Sequence, residues 1–186
     1  MPIRPGPAAA PGERLQPLIS ERRIRRAVCD LARRIDEDYR GKSPVLVIVL
    51  KGGAIFGADL MRALTIPVTI AYVAASSYRD GTRSSGEVAL GDVDRLDIGG
   101  RDVLLVEDIL DTGLTTTALL GRLRQCGPKS LSICALLDKR HGRAADLPVG
   151  YAGIAIPDEF VVGYGMDYAE RYRNLPGVYV LSFDRR

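Results

Sequence analysis

The stretch Val103 to Leu120, VLLVEDILDTGLTTTALL, concentrates the side chains of this sequence best suited to chemistry. An apolar run ends in the acidic pair Glu107-Asp108. Asp111 follows, then Thr112-Gly113, and the hydroxyls of Thr115, Thr116 and Thr117 stand at the start of a helical pattern. Ligands bind beyond the carboxyl ends of strands in parallel α/β sheets. A helix that starts there offers unpaired N–H groups and a partial positive charge, which suits a phosphate. Gly113 lets the backbone approach closely and the threonine hydroxyls add donors. Three carboxylates beside such a cradle would repel a bare phosphate. Ribose hydroxyls on the ligand, a bound Mg²⁺, or both would resolve the conflict, so the pattern points to a phosphorylated sugar with a metal. The same residues are compatible with a simpler reading, in which Asp111 caps the helix and Glu107-Asp108 form a solvated strand end.

Other chemistries are excluded by what is missing. The sequence has neither the GxxxxGK[ST] phosphate loop nor the GxGxxG dinucleotide turn. His141 is its only histidine, which rules out sites with two histidine ligands and leaves one candidate for any Ser-His-Asp triad. Cys29, Cys126 and Cys134 form no CxxC, and their odd number argues against a disulfide framework and for a reducing, cytoplasmic setting. With 26 Lys+Arg against 23 Asp+Glu, the net charge of +3 is too small to argue for a nucleic-acid or membrane surface. No run of roughly 18 apolar residues offers a membrane-spanning helix.

The elements that must position these residues follow from periodicity. A length of 186 residues suits one domain with a real core. Residues 1–16, rich in Pro and Ala, read as a disordered tail, and 17–186 as a single domain with its core at about 40–150. Ser20 reads as a helix N-cap, with Ile19 and Ile24 as a hydrophobic staple; Ile24, Val28, Leu31 and Ile35 form one apolar stripe. Pro44–Leu50, Val68–Ala74, Arg101–Asp108 and Leu131–Asp138 read as strands, separated by helices over Ala54–Leu64 and Thr112–Cys126. This alternation predicts an α/β fold, a mostly parallel twisted sheet with helices on both faces. Ser76–Asp92 is polar and Ser/Gly-rich, the composition of a mobile lid with one hairpin arm in EVAL. YAGIAI, EFVVGY and VYVLSF near the C-terminus read as strands of a separate small lobe.

Val103 to Thr117 resembles the phosphoribosyl-pyrophosphate (PRPP) signature of type I phosphoribosyltransferases. Leu50-Lys51-Gly52-Gly53, Ser76-Ser77-Tyr78, Leu137-Asp138-Lys139-Arg140 and IPDEFVVGYGMDYAERYRNLP (Ile156 to Pro176) are similar to bacterial-type hypoxanthine-guanine phosphoribosyltransferases, in order from about Leu18 to Phe183. The resemblance implies the type I phosphoribosyltransferase fold, with a small hood built from the terminal segments. It also implies purine salvage: hypoxanthine or guanine displaces pyrophosphate from C1 of PRPP, with Mg²⁺ as cofactor, through an oxocarbenium-like transition state. A cytoplasmic homodimer or homotetramer, with no nucleic-acid or membrane partner, goes with that reading.

Residue by residue, the resemblance implies that Asp111 handles the purine N7 proton. Asp111, Thr112, Gly113, Leu114 and Thr115 would hold the 5′-phosphate, and Glu107 and Asp108 the ribose hydroxyls, directly or through Mg²⁺. Lys51, Gly52 and Arg173 would contact pyrophosphate, with a cis peptide before Lys51. Lys139 would donate to the 6-oxo group, selecting hypoxanthine and guanine over adenine. Phe160 would stack on the purine, and the carbonyls of Val161 and Asp167 would face the guanine 2-amino group. The Asp167 side chain would be a further Mg²⁺ ligand, beside Glu107 and Asp108. Ser77 and Tyr78 would begin a lid that excludes water. Glu159 stands where the family often has lysine, adding negative charge beside the base. Two alternatives share the acids and phosphate loop: a PRPP-sensing regulator that binds RNA, and a transferase preferring xanthine. The regulator needs a concentrated basic face. The arginines here gather mainly in the first helix, interleaved with acids, as a solvated face or subunit contact, and Lys139, Phe160 and Asp167 favour the enzyme.

Overall fold

The computed structural model describes residues 9–80, 83–139 and 147–184. Strand β1 (Glu13–Ile19) leads into helix α1 (Glu21–Asp38), and strand β2 (Val45–Leu50) into α2 (Ala54–Ala63). The hairpin β3 (Thr69–Asp80) and β4 (Arg83–Leu90) precedes β5 (Asp102–Leu110), α3 (Leu114–Gln125), β6 (Ser130–Asp138) and β7 (Val149–Ala155). Two last strands, β8 (Val161–Val162) and β9 (Val178–Phe183), complete the described chain.

The main sheet has the order β4-β3-β2-β5-β6-β7, parallel except for β4. Every residue of β2 from Val45 to Val49 is buried, as its continuous apolar run requires of a strand covered on both faces. Alternation divides that run between two cores. Leu46 and Ile48 join Leu104 and Val106 under α1 and α2, whereas Val45, Val47 and Val49 join Val103 and Leu105 beneath α3. Helix α2 lies close on the sheet because Gly57 presents no side chain; a Cβ there would stand 2.6 Å from Ile48 Cδ1.

Helix α1 starts as its sequence requires, with Ser20 Oγ accepting from the Arg23 N–H at 3.3 Å. Its stripe of Ile24, Val28, Leu31 and Ile35 is buried. Of the arginines on this helix, Arg34 has a structural task, docking α1 on β7. It donates to the Gly150 carbonyl at 3.1 Å and lies over the Tyr151 ring, while Tyr151 Oη donates to Asp38.

Four expectations need correction. Strand β1 begins at Glu13, inside the expected tail, because the free edge of β9 gives it a partner: Glu13 pairs with Phe183 and Ile19 with Val178. The segment YAGIAI is not part of the small lobe; as β7 it closes the main sheet beside β6, and the second sheet holds only β1, β9 and β8. The backbone of Ser76–Asp92 is mostly hairpin rather than loop, since β3 continues to Asp80 and β4 returns along its open edge. Helix α3 begins at Leu114, two residues later than expected, with Gly113 as its cap at φ 81°. The side chains of Ser77 and Tyr78, and all of His141, lie outside the described residues. No helix among the described residues is long and apolar enough to cross a membrane.

Fully buried Phe56 plugs α2 into the larger core. Phe56→Ala should lower unfolding free energy by about 3–5 kcal/mol in urea titrations. A loss below about 1 kcal/mol would mean that α2 is not anchored there.

Candidate active site

The carboxyl ends of β2, β5 and β6 point to one side, and the loops that leave them meet the hood across a cleft of about 540 Å³. Lys51 and Gly52 line it from the end of β2. Glu107, Asp108, Asp111 and the turn through Thr115 line it from β5, and Lys139 from β6. Phe160, Val161, Asp167 and Arg173 come from the hood segment. Every residue assigned a role from the sequence therefore shares this cleft, except Ser77 and Tyr78, whose side chains lie outside the described residues.

The acidic pair is not a solvated strand end. Strand β5 continues to Leu110, and Glu107 is 6% exposed, its carboxylate accepting from Thr116 Oγ1 at 2.9 Å. Burial, and then the Asp108 charge, push its carboxyl up to about 8. Burial likewise raises Asp108 to about 6, against backbone N–H groups that favour its charged form. The Thr116 hydroxyl, expected to add a donor for a phosphate, is directed instead to Glu107.

Nor does Asp111 cap the helix. Its carboxylate accepts from Lys139 Nζ at 2.9 Å, and Asp158 Oδ1 approaches the same nitrogen at 3.3 Å. Lys139 is 6% exposed, so two carboxylates compensate its buried charge. Asp158, not Glu159, is thus the acid that approaches Lys139; Glu159 is exposed. The Phe160 ring remains partly open to solvent and meets Tyr168 edge-on, with centroids 5.9 Å apart.

On the opposite side, the Leu50–Lys51 peptide is cis. The Gly52 backbone lies against Asp108; a Cβ on it would stand 2.0 Å from Oδ2. Gly165, at φ 101°, packs on the Gly52 carbonyl, where a Cβ would come within 2.1 Å. Arg173 donates to the Gly165 carbonyl at 2.8 Å and pairs with Asp167 at 2.8 Å. Lys51 pairs with Glu170 at 3.1 Å, holding that carboxyl below the usual range. Glu170 gave no signal in sequence, because only the turn through residues 163–172 brings it back over β2.

Among the described residues, no group of three or more His, Cys, Asp or Glu could hold a metal by itself. Asp108 and Asp167 offer carboxylate oxygens to the cleft. That hard, incomplete donor set fits Mg²⁺, which keeps several waters and is bound through one or two carboxylates plus substrate phosphates.

A parallel sheet whose strand ends carry an acidic pair, an Asp-Thr-Gly turn and a helix start defines a phosphoribosyl-transfer site. The family model for the phosphoribosyl transferase domain matches residues 19–169, and the chain belongs to that family. Within it, the chain is 44% identical over 183 residues to a hypoxanthine-guanine phosphoribosyltransferase of Mycobacterium avium, across 95% of this chain and 89% of that one. It is 47% identical over 164 residues to a hypoxanthine phosphoribosyltransferase of Salmonella typhimurium, across 87% and 92%. The crystal structure of a hypoxanthine-guanine phosphoribosyltransferase from Bacillus anthracis, with a HEPES molecule in its active site, superposes with a TM-score of 0.83. That match has 42% identity and covers 91% of this chain and 99% of the other.

Two outcomes follow from this geometry. Gly52→Ala should displace either Asp108 or the Lys51 loop and cut kcat/KM for phosphoribosyl transfer by about a hundredfold, with far-UV circular dichroism unchanged. Full activity would show that the close approach is dispensable. The Glu107 carboxyl is raised in the folded state, so the fold binds more protons than the unfolded chain between the two values. Stability of the metal-free protein should therefore fall as pH rises from 4.5 through about 8. In Glu107→Gln that slope should flatten, measured by denaturant titration across the range; an identical slope would assign the titration elsewhere.

Proposed function

We propose that this chain transfers the phosphoribosyl group of PRPP to hypoxanthine or guanine, releasing pyrophosphate, as a purine salvage enzyme of the cytoplasm. The observation that carries the proposal is the ion pair of buried Lys139 with the half-exposed Asp111 at 2.9 Å, in a cleft that the partly open Phe160 also lines. A 6-oxopurine presents O6 and N7 side by side on one edge. An ammonium and a carboxylate side by side are their complement when N7 carries a proton. Lys139 has three N–H donors, enough to keep Asp111 and Asp158 while donating to O6. Adenine, with an amino group at that position, would face a donor with a donor.

Phe160 stacks on the base, and the carbonyls of Val161 and Asp167 accept from the 2-amino group of guanine. The N–H groups of Asp111, Thr112, Gly113, Leu114 and Thr115 receive the 5′-phosphate, where the start of α3 favours negative charge. Asp108, with Glu107 behind it, takes the ribose hydroxyls. Lys51, Gly52 and Arg173 take the pyrophosphate. As the C1–N9 bond forms and the C1–O bond to pyrophosphate breaks, the N7 proton passes to Asp111. Mg²⁺ bound at Asp108 and Asp167 together with the substrate would supply positive charge to the departing pyrophosphate. Ser77 and Tyr78 close over the reacting centre and keep water out.

A homodimer or homotetramer belongs to the same proposal. Ile70 and Tyr72 remain exposed on β3, in register with buried Leu46 and Ile48, and give a second copy an apolar surface.

Asp111→Asn should leave PRPP affinity nearly intact while lowering kcat at least about tenfold. Lys139→Ala should raise KM for hypoxanthine and guanine more than KM for PRPP in steady-state assays. Equal turnover in the first variant, or a loss confined to PRPP in the second, would reverse the assignment of the base side of the cleft.

A further inference from the structure

The loop from Ala169 to Arg173 carries a contact that no substrate role explains. Glu170 is an exposed acid placed between two cations. Its Oε1 stands 3.1 Å from Lys51 Nζ and its Oε2 3.4 Å from Arg173 Nη2, so the two ends of one carboxylate are each met by a different cation. Lys51 comes from the end of β2 and Arg173 from the hood; the acid bridges the cleft. The backbone is bent to put it there. Ala169 and Glu170 both take left-handed conformations, at φ 50° and 63°, and the Glu170 N–H donates to Asp167 Oδ2 at 2.8 Å. Non-glycine residues adopt that region rarely, and two in succession mark a position held by its surroundings. The Glu170 side chain is otherwise open to solvent, so among the described residues the two ion pairs are what retain it.

We infer that Glu170 is a built-in counter-anion of the pyrophosphate subsite: when the subsite is empty it pairs with Lys51 and, alongside Asp167, with Arg173, and it must swing out when pyrophosphate arrives. The inference rests on the proposed assignment of Lys51 and Arg173 to pyrophosphate. Arg173 already carries Asp167 at 2.8 Å, so the charge that Glu170 chiefly compensates is that of Lys51, and it does so until a better anion displaces it. The same competition limits how tightly released pyrophosphate is held, which favours turnover over product retention. Glu170 acts through the two cations and touches no reacting atom; it is a positioning residue that sets pyrophosphate affinity.

Glu170→Gln keeps the shape and removes the charge. Isothermal titration of the full-length protein with inorganic pyrophosphate and Mg²⁺ should show binding about two- to fivefold tighter, the range expected for losing one or two exposed ion pairs. The gain should shrink as salt is raised, and the affinity for guanosine monophosphate should not change. Glu170→Asp, with its charge on a shorter arm, should fall between the two. Unchanged or weaker pyrophosphate binding in Glu170→Gln overturns the inference, as does an equal gain for the nucleotide. Lys51→Ala separates this from failure of the subsite assignment. That variant should weaken pyrophosphate binding and reduce the effect of Glu170→Gln when the two are combined. If Lys51→Ala leaves pyrophosphate binding untouched, the subsite lies elsewhere and the inference falls with it.

Discussion

The cleft depends on one close approach of backbones. Gly52 lies between the Asp108 carboxylate on one side and Gly165 of the hood on the other, at separations that leave no room for a Cβ on either glycine. The main sheet supplies Asp108 and the hood supplies Gly165, so the two parts of the molecule meet through main chain at the centre of the site. Side chains from both then converge on a volume sized for a nucleotide. The hood pays for this in backbone conformation: Tyr164, Ala169, Glu170 and Tyr172 all have positive φ, each costing on the order of 1 kcal/mol. Contacts elsewhere hold that turn in place. Tyr172 Oη donates to Glu13 and accepts from the Ala10 N–H, and Arg171 pairs with Glu13, so the first strand secures the loop that carries Asp167 and Arg173.

Each cation at the site is paired before any substrate arrives. On one side, buried Lys139 is shared by Asp111 and Asp158; on the other, Lys51 and Arg173 share Glu170, and Arg173 also holds Asp167. A lone buried charge is costly, and the two carboxylates beside Lys139 compensate it. Glu107 is the opposite case. It is buried beside another acid and accepts only a threonine hydroxyl, so its proton is retained to about pH 8. One short strand end therefore carries two carboxyl groups that burial raises, one further held up by its neighbour's charge and the other drawn back by backbone N–H groups.

The sheet and its helices were legible because their signals are local. The buried run of β2, the stripe of α1 and the strand-turn-helix around Asp111 each lie within one window of sequence. What misled was pairing at a distance. Glu13–Ile19 is strand only because β9 has a free edge, YAGIAI joins the main sheet because β6 exposes one, and the polar Ser76–Leu90 stretch pairs with itself. In the site, residues on the PRPP signature were identified by type and spacing. Asp158 and Glu170 were not, since each acts through a partner 19 or 119 positions away, and Thr116 was given a phosphate rather than its actual partner Glu107.

The most direct measurement offers PRPP and Mg²⁺ with hypoxanthine, guanine, xanthine and adenine in turn and follows nucleotide formation. A carboxylate and a buried lysine facing the O6–N7 edge should give rapid turnover with hypoxanthine and guanine, loss of it on chelating the metal, and little with adenine. Turnover with adenine equal to that with hypoxanthine would contradict the role given to Lys139. No turnover with any base, despite measurable PRPP binding, would contradict the transferase itself.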